Sequence, residues 1–292
     1  MYYRAEVRSV ARLSPNLVRV RFGGGDLAGF SSTGVADERL VLVFPPPGQV
    51  EPPAPQEGAD GTRDYPDEAT RPPMRSYTVR AWDASAYELV VDFVVHAGGV
   101  AAHWALAASP GGAVYLSDAR GWYAPPEDTR WQVLVADLTG LPAVGRIVEQ
   151  LPRGVRAYAI VEVIAPEDRQ AIQTRADVTW RWLVGTGHGL GPSGLLAAVQ
   201  EFAWPKGPGY LWFAGEAAES RAVRQHLRKN LGWSPARYLS LGYWRHRQEE
   251  WMARYDRVGP ELEQIYVRAV AAGQSSTDAL ELYDDALQQS GL

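Results

Sequence analysis

The stretch Met74-Arg-Ser-Tyr-Thr-Val-Arg-Ala-Trp82 has the short alternation of a β-strand, yet it carries two arginines. Side chains on a strand point alternately to opposite faces, so Arg75 and Tyr77 share one face and Ser76 and Thr78 the other. An ordinary buried strand does not place a guanidinium on its face. The stretch therefore indicates either a bound ligand or a salt bridge at the rim of a sheet.

The flanking sequence predicts a small antiparallel β-barrel over residues 1–129. "NLVRVRFGG" alternates apolar and charged residues, "RLVLVFP" is a buried run, and further short strands follow with turn residues between them. "VAAHWALAA" predicts the one short helix of this part. Residues 45–73 are rich in Pro, Gly and acidic residues without periodicity, which predicts a long mobile insertion between strands.

The pattern changes near Arg130. Short apolar runs such as "WQVLVAD", "RAYAIVEVI" and "GYLWFAG" alternate with segments of helical spacing. This alternation predicts a parallel sheet flanked by helices over residues 130–246. Residues 247–292 read as a helical C-terminal tail, divided near "GQSST", where Ser276 or Thr277 would cap the last helix.

Composition excludes several classes of function. The chain has 292 residues, no cysteine and a formal net charge of -5. The absence of cysteine excludes disulfides, a thiol nucleophile and cysteine-ligated clusters, and the mild acidity is not that of a nucleic-acid-binding protein. The N-terminal residues lack the apolar region of a signal peptide, and no segment predicts membrane insertion. We expect a cytoplasmic protein, and the sequence leaves its oligomeric state open.

The segment "HAGGVAAHWA" predicts a phosphate-binding turn. Two glycines precede a helix start at Val100–His103, where unpaired amides bind phosphate oxygens. His96 either lies over a ligand or ends the strand. Tyr77 is placed to lie against the ring of a ligand, and Arg75 is placed to bind its phosphate, so a flavin accounts for both residues and for the phosphate-binding turn. The separation between the turn and the ring site at Tyr77 favours FAD over FMN.

Five motifs then occur in an order that resembles the siderophore-interacting proteins, a branch of the ferredoxin-reductase-like flavoproteins. The motifs are "RSYTVR", "VDFVVHAGG" with "AAHWA", "LTGLPAV", "FAGE" before an arginine-rich helix, and "GYWR". The resemblance extends from about Tyr3 to Arg247. It implies an FAD-binding β-barrel, a Rossmann-like α/β domain for NADPH or NADH, and ferric-siderophore reduction as the activity.

The resemblance also implies which residues hold the cofactor. These are Arg75, Ser76, Tyr77, Thr78, His96, Ala101, Ala102, Trp104, Asp137, Thr139, Glu216, Tyr243 and Trp244. The sequence departs from the family pattern at Ala136 and Leu138, where the family has glycine and glutamate, and at Val100, where it has proline. These departures concern adenine and reductant contacts more than flavin binding.

A second glycine-rich segment, "GTGHGLG" at residues 185–191, resembles a dinucleotide-binding loop but lacks the Gly-x-Gly-x-x-Gly spacing. We interpret it as a flexible connection. The chain has only two lysines, so an anionic siderophore would be held mainly by arginines, and we predict Arg71, Arg245 and Arg247 for this role. In the alternative, Arg245 and Arg247 simply begin a solvated helix.

The predicted chemistry requires no resident metal and no catalytic acid or base, because the cofactor carries the electrons. Two other functions stay open from the sequence. One is a non-catalytic carrier of a flavin or a siderophore, and the other is a reductase for a different small acceptor such as a free flavin or a quinone.

Overall fold

The structure is a computed structural model, and it describes residues 1–67, 70–95, 99–274 and 276–290. The prediction for His96 lies outside the described residues. Within them, no helix combines the length and the apolarity that crossing a bilayer requires.

The first part of the chain forms a seven-stranded antiparallel sheet with a hydrophobic interior. Alternating residues of its strands, such as Val18, Val20 and Phe22, are buried in this core. The strand order is β6-β3-β9-β1-β2-β8-β7. The strands are β1 (Tyr2–Ser14), β2 (Leu17–Gly23), β3 (Arg39–Val43), β6 (Met74–Thr78), β7 (Ala81–Asp83), β8 (Glu88–Val94) and β9 (Ala113–Ser117).

The two edges of this sheet are consecutive in the chain. Only Val79 and Arg80 connect β6 to β7, and the Arg80 amide donates to Val90 of β8. A sheet whose edge strands are joined by two residues must curve until its edges approach each other, which is the geometry of a barrel. Helix α1 (Val100–Ala107) packs against its core through Ala101, Ala102 and Ala105. The predicted antiparallel barrel fold and the helix that begins at Val100 are confirmed.

The predicted insertion contains local structure. Two short strands, β4 (Gln56–Glu57) and β5 (Arg63–Asp64), pair with each other. Tyr65 is 7% exposed, stacks edge-on against Tyr2 and donates its hydroxyl hydrogen bond to the Pro53 carbonyl. This part of the insertion is therefore anchored to the sheet, which sequence composition did not predict.

The second part is a five-stranded parallel sheet in the order β12-β11-β10-β13-β14. Every residue of the central strand β10 is buried because apolar clusters cover both faces of the sheet. The predicted strand–helix alternation is confirmed. Its elements are β10 (Trp131–Ala136), α2 (Leu141–Gln150), β11 (Arg156–Val163), β12 (Asp177–Val184), α3 (Leu195–Gln200), β13 (Gly209–Glu216), α4 (Ala217–Gln225) and β14 (Tyr238–Trp244).

The helical tail consists of α5 (Gln248–Ala271) and α6 (Ser276–Gln289), as predicted. Lys229, just beyond α4, forms an ion pair with Asp285 at 3.0 Å, and Arg224 on α4 pairs with Asp284. These contacts dock α6 against the parallel sheet's outer helix, so the tail packs onto the α/β part of the molecule.

A buried carboxylate joins the two sheets. Asp37 is fully buried and accepts hydrogen bonds from the backbone amides of Trp122 (2.7 Å) and Tyr123 (2.8 Å) and from Nε1 of Trp212 (3.0 Å) on β13. A buried carboxylate with several donors is a strong local contact. Asp37 therefore fixes the connection that leads from the antiparallel sheet into the parallel sheet.

Two further buried acids bridge the same interface. Glu38 pairs with Arg146 of α2 at 2.8 Å. Burial alone would raise the pKa of Glu38, but donors including the Arg146 guanidinium outweigh burial and lower it. Asp168 is fully buried and accepts from the Ser14 hydroxyl at 2.5 Å and the Asn16 amide at 2.9 Å. Together these contacts hold the two sheets in one fixed arrangement.

Candidate functional site

A cavity of about 720 Å³ lies between the two sheets. Its volume is within the range of small-molecule and cofactor sites, and interfaces between layers are a common place for such sites. It collects nine of the residues that the sequence predicts to bind the cofactor. These are Arg75, Ser76, Tyr77, Thr78, Ala101, Ala102, Thr139, Tyr243 and Trp244.

Arg75 enters this cavity without an ionic partner. Its Nη1 donates to the carbonyl of the adjacent Met74 at 2.7 Å, and no carboxylate of the described residues pairs with it. This result weighs against a rim salt bridge within the described part of the chain. An exposed, unpaired guanidinium that faces a cavity suits a phosphate, which it can contact with two parallel hydrogen bonds.

Tyr77 and Thr78 continue the cavity wall. The Tyr77 ring packs on Phe93 with ring centroids 4.5 Å apart, and burial raises the pKa of its hydroxyl. Thr78 is 4% exposed, and its hydroxyl lies close to that of Tyr243 without an ordinary hydrogen bond between them. Buried hydroxyls in this condition are costly unless a further group pairs with them. They therefore fit the polar edge of a bound ring.

The start of α1 supplies backbone donors to the same cavity. Gly99 occupies the N-cap position without a side-chain cap, and Val100, Ala101 and Ala102 line the cavity. The first amides of a helix have no intrahelical acceptor, so they are available to an anion. Together with Arg75 and the buried hydroxyls, this arrangement fits a flavin dinucleotide with a phosphate arm.

Trp104 occupies a different place from the other predicted residues. Its ring packs inside the antiparallel sheet against Phe22, Phe44 and Phe93, with the nearest centroid at 5.3 Å, and it does not line the cavity. α1 turns its first residues to the cavity and Trp104 to the core because these positions lie on different sides of the helix.

Trp244 is held by two groups at the end of the parallel sheet. Its Nε1 donates to Asp137 Oδ2 at 2.5 Å, and the imidazole of His188 stacks parallel to its ring at 6.0 Å. His188 Nε2 in turn accepts from the Leu138 amide, while Asp137 Oδ1 accepts from the Thr139 hydroxyl at 2.6 Å. Asp137 therefore acts on the cavity by orienting Trp244 and does not line the cavity itself.

His188 is a site residue that the sequence analysis missed. It belongs to the segment at residues 185–191, interpreted above as a flexible connection, and the structure folds this segment into a tight turn beside the cavity. Gly185, Gly187 and Gly189 all have positive φ, as does His188 at 53°. A non-glycine residue in this region is uncommon. The alternating glycines were the available signal, because each one permits this left-handed conformation.

A second pocket, of about 340 Å³, adjoins the first and shares His188, Gly189, Leu190, Trp244 and His246 with it. We call it the acidic pocket because its remaining wall includes Asp137, Glu162, Glu216 and Glu219. Glu216 caps α4 by accepting from the Ala218 and Glu219 amides. It lies in this pocket and not in the larger cavity where flavin binding was predicted.

The three arginines predicted to bind substrate separate in the structure. Arg245 and Arg247 line the large cavity, and the Arg245 guanidinium lies over the Trp251 ring at 3.7 Å. Burial lowers the pKa of Arg245, and the like charge of Arg221 adds to this effect. Arg71 lies elsewhere and donates from Nε to the Tyr65 carbonyl at 3.2 Å, so the structure does not bring it together with the other two.

The architecture defines the class of the protein. A ferredoxin NADP+ reductase from Neisseria gonorrhoeae with bound FAD and NADP superposes with a TM-score of 0.57, covering 83% of this chain and 99% of that one. At 15% identity this likeness concerns the fold alone. The chain has the ferredoxin-reductase-like fold, a curved antiparallel sheet followed by a parallel α/β sheet.

The family of the chain is identified by two family models, which match most of its length. Residues 6–123 match the model of the siderophore-interacting FAD-binding domain, and residues 129–247 match that of the siderophore-interacting protein. The chain belongs to the siderophore-interacting protein family, which confirms the prediction from its motifs and identifies FAD as the cofactor.

Named relatives agree with this assignment. A siderophore utilization protein from T. fusca is 34% identical with a TM-score of 0.76, covering 85% of this chain and 94% of that one. The ferric vibriobactin reductase ViuB of Vibrio cholerae is 30% identical over 82% of this chain and 87% of its own. The NADPH-dependent ferric-chelate reductase of Escherichia coli is 29% identical over 82% of this chain and 91% of its own.

Proposed function

We propose that the chain is an FAD-dependent reductase that converts the iron of a ferric siderophore from Fe(III) to Fe(II). In this proposal residues 1–129 hold FAD, residues 130–246 receive NADH or NADPH, and residues 247–292 form an accessory tail. The observation that carries the proposal is the cavity between the sheets, where helix amides and aromatic rings meet an arginine that has no ion-pair partner among the described residues. The reductases among its relatives support the same activity.

The cavity residues would bind and orient the cofactor. Arg75 and the first amides of α1 are placed for its phosphates, and Tyr77 and Trp244 for the faces of its ring. The chemistry that bound FAD would supply is hydride acceptance from a nicotinamide and one-electron donation to an acceptor. The protein's own part is to exclude water, hold the ring in place and supply the surrounding charges.

The substrate would approach the cavity mouth at Arg245 and Arg247. A siderophore holds Fe(III) with hard oxygen ligands that bind Fe(II) less well, so reduction loosens the complex and releases iron. Guanidinium groups suit the anionic oxygens of such a chelate. No acid or base has to move a proton in this reaction. We place the reaction in the cytoplasm, in keeping with the use of a nicotinamide nucleotide as reductant.

The test is a two-step anaerobic experiment on the FAD-loaded protein. First, NADH or NADPH is added, and the loss of the oxidised flavin absorbance is recorded. Second, a ferric siderophore is added while a ferrous-specific chelator reports Fe(II). We expect flavin reoxidation with formation of Fe(II). Flavin reduction without Fe(II) formation would favour a different acceptor, and a flavin that no nucleotide or siderophore affects would favour a carrier.

A paired variant tests the substrate residues. Arg245→Ala with Arg247→Ala should raise the KM for an anionic ferric siderophore, and the parent's KM should rise with salt, because exposed charges are screened. The matched control is Arg156→Ala with Arg257→Ala, which removes two exposed arginines that do not line the cavity. If both double variants turn over siderophore like the parent at low salt, Arg245 and Arg247 are not the substrate site.

A further inference from the structure

The acidic pocket lies where a parallel sheet of this topology binds nucleotides. From β10 the chain builds outward through β11 to β12, then returns to β13 on the other side of β10. The crevice at the carboxyl ends of the strands around such a reversal is the usual ligand position in open α/β sheets. Asp137 after β10, Glu162 near the end of β11 and Glu216 at the end of β13 all line this pocket.

Glu162 lines this pocket although its side chain is buried, and one of its carboxylate oxygens has no donor among the described residues. It is 1% exposed, and its Oε1 accepts from the Thr186 hydroxyl at 2.7 Å and from the Gly194 amide at 2.8 Å. No described residue donates to Oε2. A Cβ at Gly187 would lie 1.9 Å from Oε2, so glycine is needed there to leave the carboxylate in place.

A buried carboxylate at the end of the second strand is placed to accept from sugar hydroxyls. In dinucleotide-binding sheets an acid at this point bonds the hydroxyls of the adenosine ribose, whereas a nearby arginine accommodates a 2′-phosphate. Glu162 supplies the acid that bonds the ribose hydroxyls. Among the described residues that line the pocket there is no arginine and no lysine, and the two histidines are His188 and His246.

The negative charge of the acidic pocket opposes binding of a 2′-phosphate on the adenosine ribose. Burial raises the pKa of Glu219, and the neighbouring carboxylates Glu162 and Glu216 raise it further. Carboxylates that already disfavour each other's charge would disfavour a phosphate monoester dianion at the same place. The neutral hydroxyls of an unmodified ribose carry no such cost, and they donate hydrogen bonds to an acceptor such as Glu162 Oε2.

We propose that the acidic pocket receives the adenosine half of the reductant, with Glu162 accepting from the ribose hydroxyls, and that this chain selects NADH over NADPH. The inference rests on the proposed function, since it assigns the reductant of that reaction. The pocket adjoins the flavin cavity at His188, Gly189 and Trp244, so a dinucleotide with its adenosine half in the pocket would have its other half beside the flavin cavity.

The first test measures binding without electron transfer. ADP-ribose and 2′-phospho-ADP-ribose are titrated separately into the FAD-loaded protein by calorimetry. We expect the phosphorylated ligand to bind at least about tenfold more weakly, equivalent to about 1.4 kcal/mol. Equal affinities, or tighter binding of the phosphorylated ligand, would overturn the proposal. Steady-state reduction of FAD by NADH and NADPH should show the same preference.

A gain-of-charge variant tests the location. A Cβ added at Gly191 meets no atom within 4 Å, so Gly191→Arg introduces a guanidinium at the pocket wall without a clash at the Cβ. We expect it to strengthen binding of the phosphorylated ligand about tenfold. Gly191→Gln is the control of similar shape without charge and should leave the preference unchanged. If Gly191→Arg and Gly191→Gln behave alike, the 2′ position lies elsewhere.

Glu162→Gln provides the complementary loss. It should weaken ADP-ribose binding while FAD content, read from the flavin spectrum, stays that of the parent; unchanged ADP-ribose affinity would contradict the role of Glu162.

An experiment on dithionite-reduced protein distinguishes failure of this inference from failure of the proposed function. If the protein reduces a ferric siderophore but binds neither ADP-ribose ligand, only the inference fails. If it leaves the ferric siderophore unreduced, the proposed function fails, and the ligand preference is still decided by the titrations.

Discussion

Replacing Arg75 with alanine gives the sharpest test of the cofactor site. The side chain is exposed, bonds only the carbonyl next to it and pairs with no carboxylate of the described residues. Its removal therefore strands no buried charge, and we expect a change in the free energy of unfolding of at most about 0.5 kcal/mol. A charge-assisted contact to a phosphate contributes about 1.5–3 kcal/mol, so the affinity for FAD should fall about tenfold to a hundredfold.

The assay is a titration of flavin-free protein with FAD, followed by quenching of flavin fluorescence. Arg75→Lys should bind with intermediate affinity, because lysine keeps the charge but loses the two-pronged geometry of the guanidinium. Arg156→Ala, an exposed arginine away from the cavity, is the matched control and should bind like the parent. Parental FAD affinity in a folded Arg75→Ala protein would refute the assignment of Arg75 to the phosphate.

Three further predictions follow from buried groups. Asp37→Ala leaves three donors without an acceptor, which should cost about 3 kcal/mol or more and lower the melting temperature by roughly 6–12 °C; an unchanged melting curve would contradict this. Trp104→Ala should lower the free energy of unfolding, measured by chemical denaturation, by about 3–5 kcal/mol, while the folded protein keeps its FAD affinity. Parental stability with weakened FAD binding would place Trp104 at the cofactor. The pKa of Glu219 is raised above its ordinary 4.5, so its contribution to stability is present below pH 4.5 and is lost as pH rises through the folded-state pKa. The Glu219→Gln variant should therefore have a higher melting temperature than the parent at pH 7, and the difference should disappear near pH 4. The same difference in melting temperature at both pH values would contradict the raised pKa.

Local pattern was enough to predict the change from antiparallel strands to strand–helix alternation. The helix start after Gly99 and the fully buried run of β10 are encoded in adjacent residues, and the structure contains both. Local pattern could not predict that Tyr65 anchors the insertion, since Tyr2 lies far away in the sequence.

The candidate site shows the same limit. Strand parity placed Arg75 and Ser76 on opposite faces, yet both line the cavity, and β6 is an edge strand of its sheet. The orientation of the Glu162 carboxylate depends on Thr186 and Gly194, which donate to its Oε1 only after β12 pairs with β11. Such a contact has no signature in either segment alone.

The pairing of β1 with β9 has a consequence for synthesis of the protein. Tyr2 pairs with Ser117, and the Tyr3 hydroxyl donates to Asp118, 115 residues later. At about 5–20 residues per second, the ribosome needs roughly 6–23 s to make the partner of the first strand. During that interval β1 can pair only with β2 and exposes its other edge, so the nascent chain is open to intermolecular strand pairing. The soluble yield of this protein should therefore rise when a chaperone binds the nascent chain early. It should also rise when residues up to β9 are completed quickly.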